Sequence, residues 1–145
     1  MLRSAETLFL GSHTNKVDAK GRIAAPAEFR KALGGAAKAF ICVPSLTGPY
    51  LDCGGFDLLE RLQARIDLMD PYDPDREAME IALMGRARKL PIDKDGRTVL
   101  PKPFIEHAGL NGEASFVGRG AFFQIWNAAD VEDRFAQAEK RAREA

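Results

Sequence analysis

The sequence predicts an α+β, β-rich fold in which one folding unit occurs twice, and three observations lead to this prediction. The string at residues 18–26 recurs 75 residues later at residues 93–101, with aspartate, glycine, arginine and proline at the same internal spacing. Short strand-like runs surround each copy, and an amphipathic helical pattern follows. Half of a 145-residue chain would be only marginally stable alone, so we expect the two units to share one core.

This repetition divides the chain into four expected segments. The first repeat covers residues 7–54, a helical connector covers residues 55–85, the second repeat covers residues 86–129, and a C-terminal helix covers residues 130–145. Each repeat is expected to run strand, turn, strand, short helix, strand, strand. No stretch rich in Gly, Ser or Pro separates independent domains.

The first repeat begins with short strands around a tight turn. Its predicted strands are residues 7–10, 15–18, 22–25, 40–43 and 50–53. Residues 18–21 are typical of a hairpin turn, because aspartate accepts backbone N–H bonds and glycine adopts a positive φ. Pro26 suits the first turn of a helix, which we expect over residues 27–33, and Gly34 ends that helix.

Helices connect the repeats, and the second repeat then follows the order of the first. Apolar residues at helical spacing predict a helix over residues 56–69, and a second helix is expected over residues 74–84. The strands of the second repeat are predicted at residues 87–92, 97–100, 115–117 and 122–126. A short helix around residues 104–108 stops at Gly109.

Charge is unevenly distributed although the formal net charge of the chain is zero. Residues 13–31 carry a net charge of +3 and residues 86–102 a net charge of +4, whereas residues 52–80 carry −6. Both copies of the repeated string therefore lie in basic segments, and the connector is acidic. Such segregation can create a positive face for a polyanion on a neutral molecule.

Several classes of protein are disfavoured by the composition. Apolar runs are too short to span a bilayer and no leader pattern opens the chain, so we expect a cytoplasmic protein without a membrane partner. Cys42 and Cys53 are expected to be buried reduced thiols, and His13 and His107 are not spaced as zinc ligands. We find no catalytic pattern, and we expect no enzymatic activity, no metal and no cofactor.

Arg22 and Arg97 are the strongest candidates for a binding function. A guanidinium group can contact guanine or a phosphate through two parallel hydrogen bonds. Asp18 and Asp93, four positions earlier, can hold the guanidinium groups in place across the turn. The alternative is a surface ion pair at each hairpin, contributing under about 1 kcal/mol. Recurrence of both residues in basic surroundings favours the binding function.

The remaining candidate residues flank the two arginines. Gly21 and Gly96 are expected to provide the positive φ of each turn. Lys16, Lys20 and Lys94 lie beside the turns and would contact the phosphate backbone, which contributes affinity without sequence choice. A plain solvated charge is the alternative for each lysine.

The repeated string, Asp-x-x-Gly-Arg followed by three residues and Pro, resembles the SpoVT-AbrB class of DNA-binding units. Two such units in a chain of this length resemble the MraZ family of bacterial transcriptional regulators, which is associated with the division and cell-wall gene cluster. The supporting strings are Phe9-Leu10-Gly11, Phe29-Arg30, Glu106-His107-Ala108-Gly109-Leu110 and Ile125-Trp126. The likeness extends over residues 9–135.

The resemblance implies an architecture, an assembly and a site. It implies a pseudo-symmetric swapped-hairpin β-barrel of two intertwined repeats with peripheral helices. It also implies a ring-shaped homo-oligomer, an octamer or larger, which is nucleoid-associated and binds double-stranded DNA at short direct repeats in the promoter. In the family, DNA binding attaches to the aspartate and arginine of each motif, here Asp18, Arg22, Asp93 and Arg97.

Two positions differ between the repeats, and two other functions remain open. Ile105 occupies the position of Arg30, and Asp95 that of Lys20, which leaves open whether both repeats contact DNA equally. One alternative is an AbrB-type antitoxin or other partner-binding module, which usually needs a disordered tail that folds on its partner. The other is an enzyme or small-ligand module, for which no set of residues argues.

Overall fold

The computed structural model describes residues 4–145 and confirms the predicted α+β class. Eight strands are present in this part of the chain: β1 Ser12–Lys16, β2 Arg22–Ala24, β3 Ala39–Pro44, β4 Leu51–Gly54, β5 Arg88–Pro91, β6 Arg97–Val99, β7 Glu113–Gly118 and β8 Phe123–Asn127. The α-helices are α1 Ala27–Ala32, α2 Asp57–Asp67, α3 Pro74–Met79, α4 Lys102–Ala108 and α5 Val131–Glu144. A π-helical turn, Glu80–Met84, extends α3.

The two repeats exchange strands. Six strands form one antiparallel sheet in the order β1-β7-β8-β4-β3-β5, and β2 pairs with β6 in a separate two-stranded ribbon. The first strand of each repeat thus pairs with the third strand of the other, so that His13 lies opposite Phe116, and Phe40 opposite Leu90. Among residues 4–145, these ladders leave β1 and β5 as the edges of the sheet. The repeats are therefore interlocked.

One aromatic core joins the repeats. The ring of Phe29, from the first repeat, lies 5.0 Å from that of Phe123 and 6.2 Å from that of Phe116, both from the second repeat. Phe9 packs against Phe29 and Phe123. Because burying aromatic surface is a dominant stabilising contribution, neither repeat keeps its core without the other. This agrees with the shared core expected from the size of each half.

The connector packs on the other side of β3. Ile41 and Val43 contact a second apolar cluster that includes Ile66 of α2 and Leu83 of the π-helical turn. Alternation along the strand explains the two faces, since Phe40 belongs to the aromatic core. The acidic connector is thereby placed against one face of the sheet.

The two cysteines are buried and free, as expected. Cys42 and Cys53 lie opposite each other on β3 and β4, with their Sγ atoms 3.4 Å apart. Burial raises the pKa of the Cys53 thiol well above its usual value, so the thiol stays protonated. Both side chains therefore act as small core residues.

The predicted strand at residues 7–10 is wrong. Ala5–Thr7 forms a 3₁₀ turn that the side chain of Ser4 caps, and only Phe9 makes an isolated bridge, with Gly120. Gly11 then adopts a φ of +81°, so the chain turns before β1 begins. Phe9 is held by its buried ring rather than by a ladder. The apolar pattern therefore indicates correctly that Phe9 contacts the core, but it does not indicate the backbone conformation.

The described part of the chain, residues 4–145, contains no helix with the length and apolar character needed to cross a membrane.

Candidate nucleic-acid interface

The ribbon of β2 and β6 presents both candidate arginines on one face. Ile23 and Thr98 lie opposite each other at its centre and point inward, with relative exposures of 1% and 2%. Arg22 lies opposite Val99, and Arg97 is the residue two positions before Val99, so the arginines are diagonal neighbours on the outer face. Diagonal neighbours across such a ladder are separated by about 7–8 Å. The ribbon therefore places the two arginines on the same exposed face.

The first turn, residues 18–21, is organised by one carboxylate. Oδ1 of Asp18 accepts hydrogen bonds from the backbone N–H groups of Lys20 and Arg22, both at 2.9 Å. Oδ2 accepts from Nε of Arg22 at 2.6 Å. Gly21 closes the turn with a φ of +83° and donates to the Asp18 carbonyl. The same side chain thus shapes the turn and orients the arginine.

The second turn, residues 93–96, has the same backbone hydrogen bonds but a longer ion pair. Oδ1 of Asp93 accepts from the backbone N–H groups of Asp95 and Arg97, both at 2.9 Å, and Gly96 has a φ of +80°. Nε of Arg97, however, is 3.7 Å from Oδ2 of Asp93, and Nη2 of Arg97 is 3.8 Å from Oδ2 of Asp95. Arg97 is therefore shared between two carboxylates, whereas Arg22 is held by one.

Both turn carboxylates are stabilised in their ionised form. The pKa of Asp18 lies below its usual value, mainly because of the backbone N–H of Arg22 and then its side chain. The pKa of Asp93 is also lowered, chiefly by the backbone N–H of Arg97. The side chains of Arg22 and Arg97 nevertheless remain 46% and 47% exposed. Each arginine is thus oriented and still accessible to a ligand.

The predicted lysines divide into two groups. Lys20 and Lys94 are exposed within the two turns, beside the arginine face. Lys16 is also exposed, but it ends β1 directly opposite Glu113 of β7. An acid at the opposing position makes Lys16 a weaker candidate for contact with a polyanion than the turn lysines.

Arg30, which follows the first turn in the sequence, is a neighbour of the second turn in the structure. Its Nε donates to the carbonyl of Ala25 at 3.2 Å, and its guanidinium packs on Gly96 of the other repeat. The sequence does contain a hint of this difference, because the second repeat has Ile105 at the position that corresponds to Arg30. Only the exchange of strands shows that this cation lies beside Gly96 and Asp93 of the second turn.

The histidines are distributed elsewhere. The ring of His13 packs edge-on against Phe29 at 5.5 Å, and Nε2 of His107 lies 3.0 Å from the carbonyl oxygen of Gly48. Across residues 4–145, no group of three or more His, Cys, Asp and Glu side chains is arranged to hold a metal ion.

Named relatives match nearly the whole chain, and a family model matches its second half. A family model described as "MraZ protein, putative antitoxin-like" matches residues 83–145. A protein named transcriptional regulator MraZ from Rickettsia akari (strain Hartford) is 36% identical over 138 residues, covering 94% of this chain and 93% of the relative. The protein of the same name from Rickettsia bellii (strain OSU 85-389) is 37% identical over 131 residues, covering 90% and 87%.

Proposed function

The chain belongs to the MraZ family of transcriptional regulators, and from this membership we propose that it controls transcription by binding promoter DNA through the arginine face of the β2–β6 ribbon. In this proposal Arg22 and Arg97 make the principal contacts. Lys20 and Lys94 bind phosphates beside them. The role is that of a DNA-binding regulator and not of an enzyme.

The observation that carries the proposal is the position of both arginines on one exposed face of the ribbon. Each arginine follows a turn whose backbone is held by an aspartate. The side chain of Arg22 is also bonded to Asp18, so it loses less entropy when it binds. A two-stranded ribbon is narrow enough to enter the major groove of B-DNA. There, an arginine that donates two hydrogen bonds to guanine contributes about 1–3 kcal/mol of discrimination.

The assembly contributes the remaining affinity in this proposal. We propose a ring-shaped homo-oligomer, an octamer or larger, that binds short direct repeats upstream of the division and cell-wall gene cluster. Several weak contacts on one DNA molecule add through avidity, provided that the spacing of the repeats matches the spacing of the subunits. Such a protein would act in the cytoplasm, associated with the nucleoid.

The swapped-hairpin barrel is the architectural part of the proposal. The exchange of β1 and β5 between the repeats, together with the β2–β6 ribbon, supports interlocked hairpins. The boundaries at residues 7–54, 55–85, 86–129 and 130–145 remain predictions. We propose that the barrel is the rigid support that presents both turns in one direction.

A partner-binding role is the second candidate, since the matching family model carries an antitoxin-like description. An antitoxin of this fold class usually captures its partner with a disordered tail. Here α5 is helical from Val131 to Glu144, and its residues beyond Phe135 are exposed. A regulator is favoured because the arginine turns need no such tail.

The proposal is tested by fluorescence anisotropy with a duplex taken from directly upstream of the chain's own gene. We expect tight binding to this duplex, weaker binding to a scrambled one, and loss of the difference in Arg22→Ala. Arg61→Ala, which removes an exposed arginine of α2, is the matched control and should bind like the wild type. Retention of promoter selectivity by Arg22→Ala would contradict the proposal.

A further inference from the structure

A basic cleft of about 560 Å³ adjoins the second turn. Four cationic side chains line it: Arg30, Lys31, Lys38 and Lys94. The acid in its lining is Asp93. The carboxylate of Asp93 is occupied by the turn, where it accepts two backbone hydrogen bonds and faces Arg97. The cleft therefore has a net positive charge, which suits an anion.

Both repeats build the basic cleft. Arg30 and Lys31 lie on α1 of the first repeat, whereas Asp93 and Lys94 belong to the turn of the second. The backbone joins the two sides, since the N–H of Ile92 donates to the carbonyl of Lys38 at 2.7 Å. The exchange of strands therefore creates a site that neither repeat contains alone.

Arg30 is held in place within the basic cleft. A Cβ atom on Gly96 would lie 2.7 Å from Cζ of Arg30, so the guanidinium packs directly on the turn glycine. Nε of Arg30 donates to the Ala25 carbonyl, and the side chain is half-buried. An arginine fixed in this way loses little entropy when its remaining N–H groups bind an oxyanion.

The first turn lacks these cations. The position equivalent to Arg30 is Ile105, whose Cδ1 lies 3.2 Å from a Cβ built on Gly21, in the same way that Arg30 contacts Gly96. The residues corresponding to Lys31, Lys38 and Lys94 are Glu106, Gly112 and Ala19. The correspondence of Gly112 follows from its carbonyl, which accepts from Val17 as that of Lys38 accepts from Ile92. The two turns thus have unlike electrostatic surroundings.

We propose that the basic cleft is a DNA phosphate-binding site that anchors the backbone beside Arg97, so that the two turns have unequal roles. The inference rests on the proposed function and deepens it. Arg22, held by a short ion pair and flanked by fewer cations, reads the base edge. The second turn, whose arginine is shared by two carboxylates, fixes the protein on the phosphate backbone. Phosphate contacts of this kind give affinity and register without sequence choice.

The inference is tested by the salt dependence of DNA binding by Lys31→Ala/Lys38→Ala. Both lysines are exposed, so the fold should be retained, which a thermal unfolding curve checks. Each lost phosphate contact lowers the log–log salt slope by about 0.9, so we expect a decrease of about 1.8. Affinity should fall by the same factor for the promoter duplex and for a scrambled duplex. Lys140→Ala/Arg143→Ala, which removes two exposed charges from α5, is the matched control and should keep the wild-type slope.

Two failures are distinguishable in this experiment. If Lys31→Ala/Lys38→Ala keeps the wild-type slope while Arg22→Ala loses promoter selectivity, the phosphate site is overturned and the proposed function stands. If the wild-type protein shows no salt-dependent DNA binding, the proposed function is overturned and the phosphate site with it. A loss of affinity for the promoter duplex alone would also overturn the inference, because a phosphate contact does not discriminate between sequences.

Discussion

Arg22 and Arg97 are diagonal neighbours on the exposed face of a two-stranded ribbon, although 75 residues separate them in the chain. The relationship arises because β2 pairs with β6 instead of with a strand of its own repeat. In each turn the backbone N–H of the arginine donates to Oδ1 of the aspartate four positions earlier. Duplication of one motif has therefore produced one composite surface.

The first prediction concerns Arg22→Lys. This variant keeps the positive charge but loses the planar fork, so it should bind the scrambled duplex almost as well as the wild type. Affinity for the promoter duplex should fall by roughly 5- to 150-fold, which corresponds to about 1–3 kcal/mol for a bidentate contact with a base. Competition binding with the two duplexes measures the ratio. An equal loss for both duplexes would show that Arg22 contacts phosphate only.

The second prediction concerns acid stability. The pKa values of Asp18 and Asp93 are lowered in the folded chain, so both groups stabilise the fold above the unfolded value of about 4. This stabilisation is lost as the pH falls through the lower, folded pKa. We expect the urea midpoint of the wild type to fall more steeply below about pH 4 than that of Asp18→Asn/Asp93→Asn.

A control variant separates the effect of the turn carboxylates from the general effect of removing two negative charges. Glu60→Gln/Glu77→Gln neutralises two exposed acids of the connector and should keep the wild-type steepness. Identical pH profiles for the wild type and Asp18→Asn/Asp93→Asn would contradict the role assigned to the turns.

The third prediction concerns the turn glycine. Gly21→Ala forces an L-residue to a φ of +83° and brings Cβ within 2.6 Å of the Leu100 carbonyl oxygen. Gly112→Ala is the matched control, because Gly112 has a φ of +80° and no atom within 4 Å of its Cβ position among the described residues. The control should lose about 1–2 kcal/mol of unfolding free energy from the backbone alone. Gly21→Ala should lose about 1 kcal/mol more, because its Cβ also clashes with the Leu100 carbonyl oxygen. Equal losses of unfolding free energy for the two variants in urea would contradict this prediction.

The fourth prediction concerns the inner face of the ribbon. Oγ1 of Thr98 is buried without a hydrogen-bond partner among the described residues, and the equivalent residue in the first repeat is Ile23. Thr98→Val should therefore raise the free energy of unfolding by about 1 kcal/mol. Thr14→Val, which removes a hydroxyl bonded to Ser115 at 2.6 Å, should lower it. Destabilisation by both variants would mean that the Thr98 hydroxyl has a partner.

The sequence predicted the parts of this fold that depend on local chemistry. The turns at Asp18 and Asp93 could be predicted because aspartate and glycine occur there at the spacing that a tight turn needs. The same repeated string identifies both turns. The exchange of β1 and β5 between repeats could not be predicted from composition, because the pairing partner of a strand depends on packing far along the chain.

The pairing of strands from different repeats also explains why the surroundings of some site residues could not be predicted from the sequence. Arg30 lies beside Gly96 only because the repeats interlock, so its position in the sequence, near the first turn, pointed to the wrong neighbour. Lys16 is predicted to act with the turn lysines, and the register of β1 places Glu113 opposite it. The strand predicted at residues 7–10 does not form, because Phe9 is fixed by its buried ring and by one isolated bridge.

Site-specific photo-cross-linking shows whether both turns face the same DNA. Lys20→Cys and Lys94→Cys can each be labelled with an aryl-azide reagent, since Cys42 and Cys53 are buried. Gln63→Cys, at an exposed position on α2, is the control. We expect both turn positions to cross-link to the promoter duplex and the α2 position to give no cross-link. Cross-linking from α2 with none from either turn would contradict this expectation.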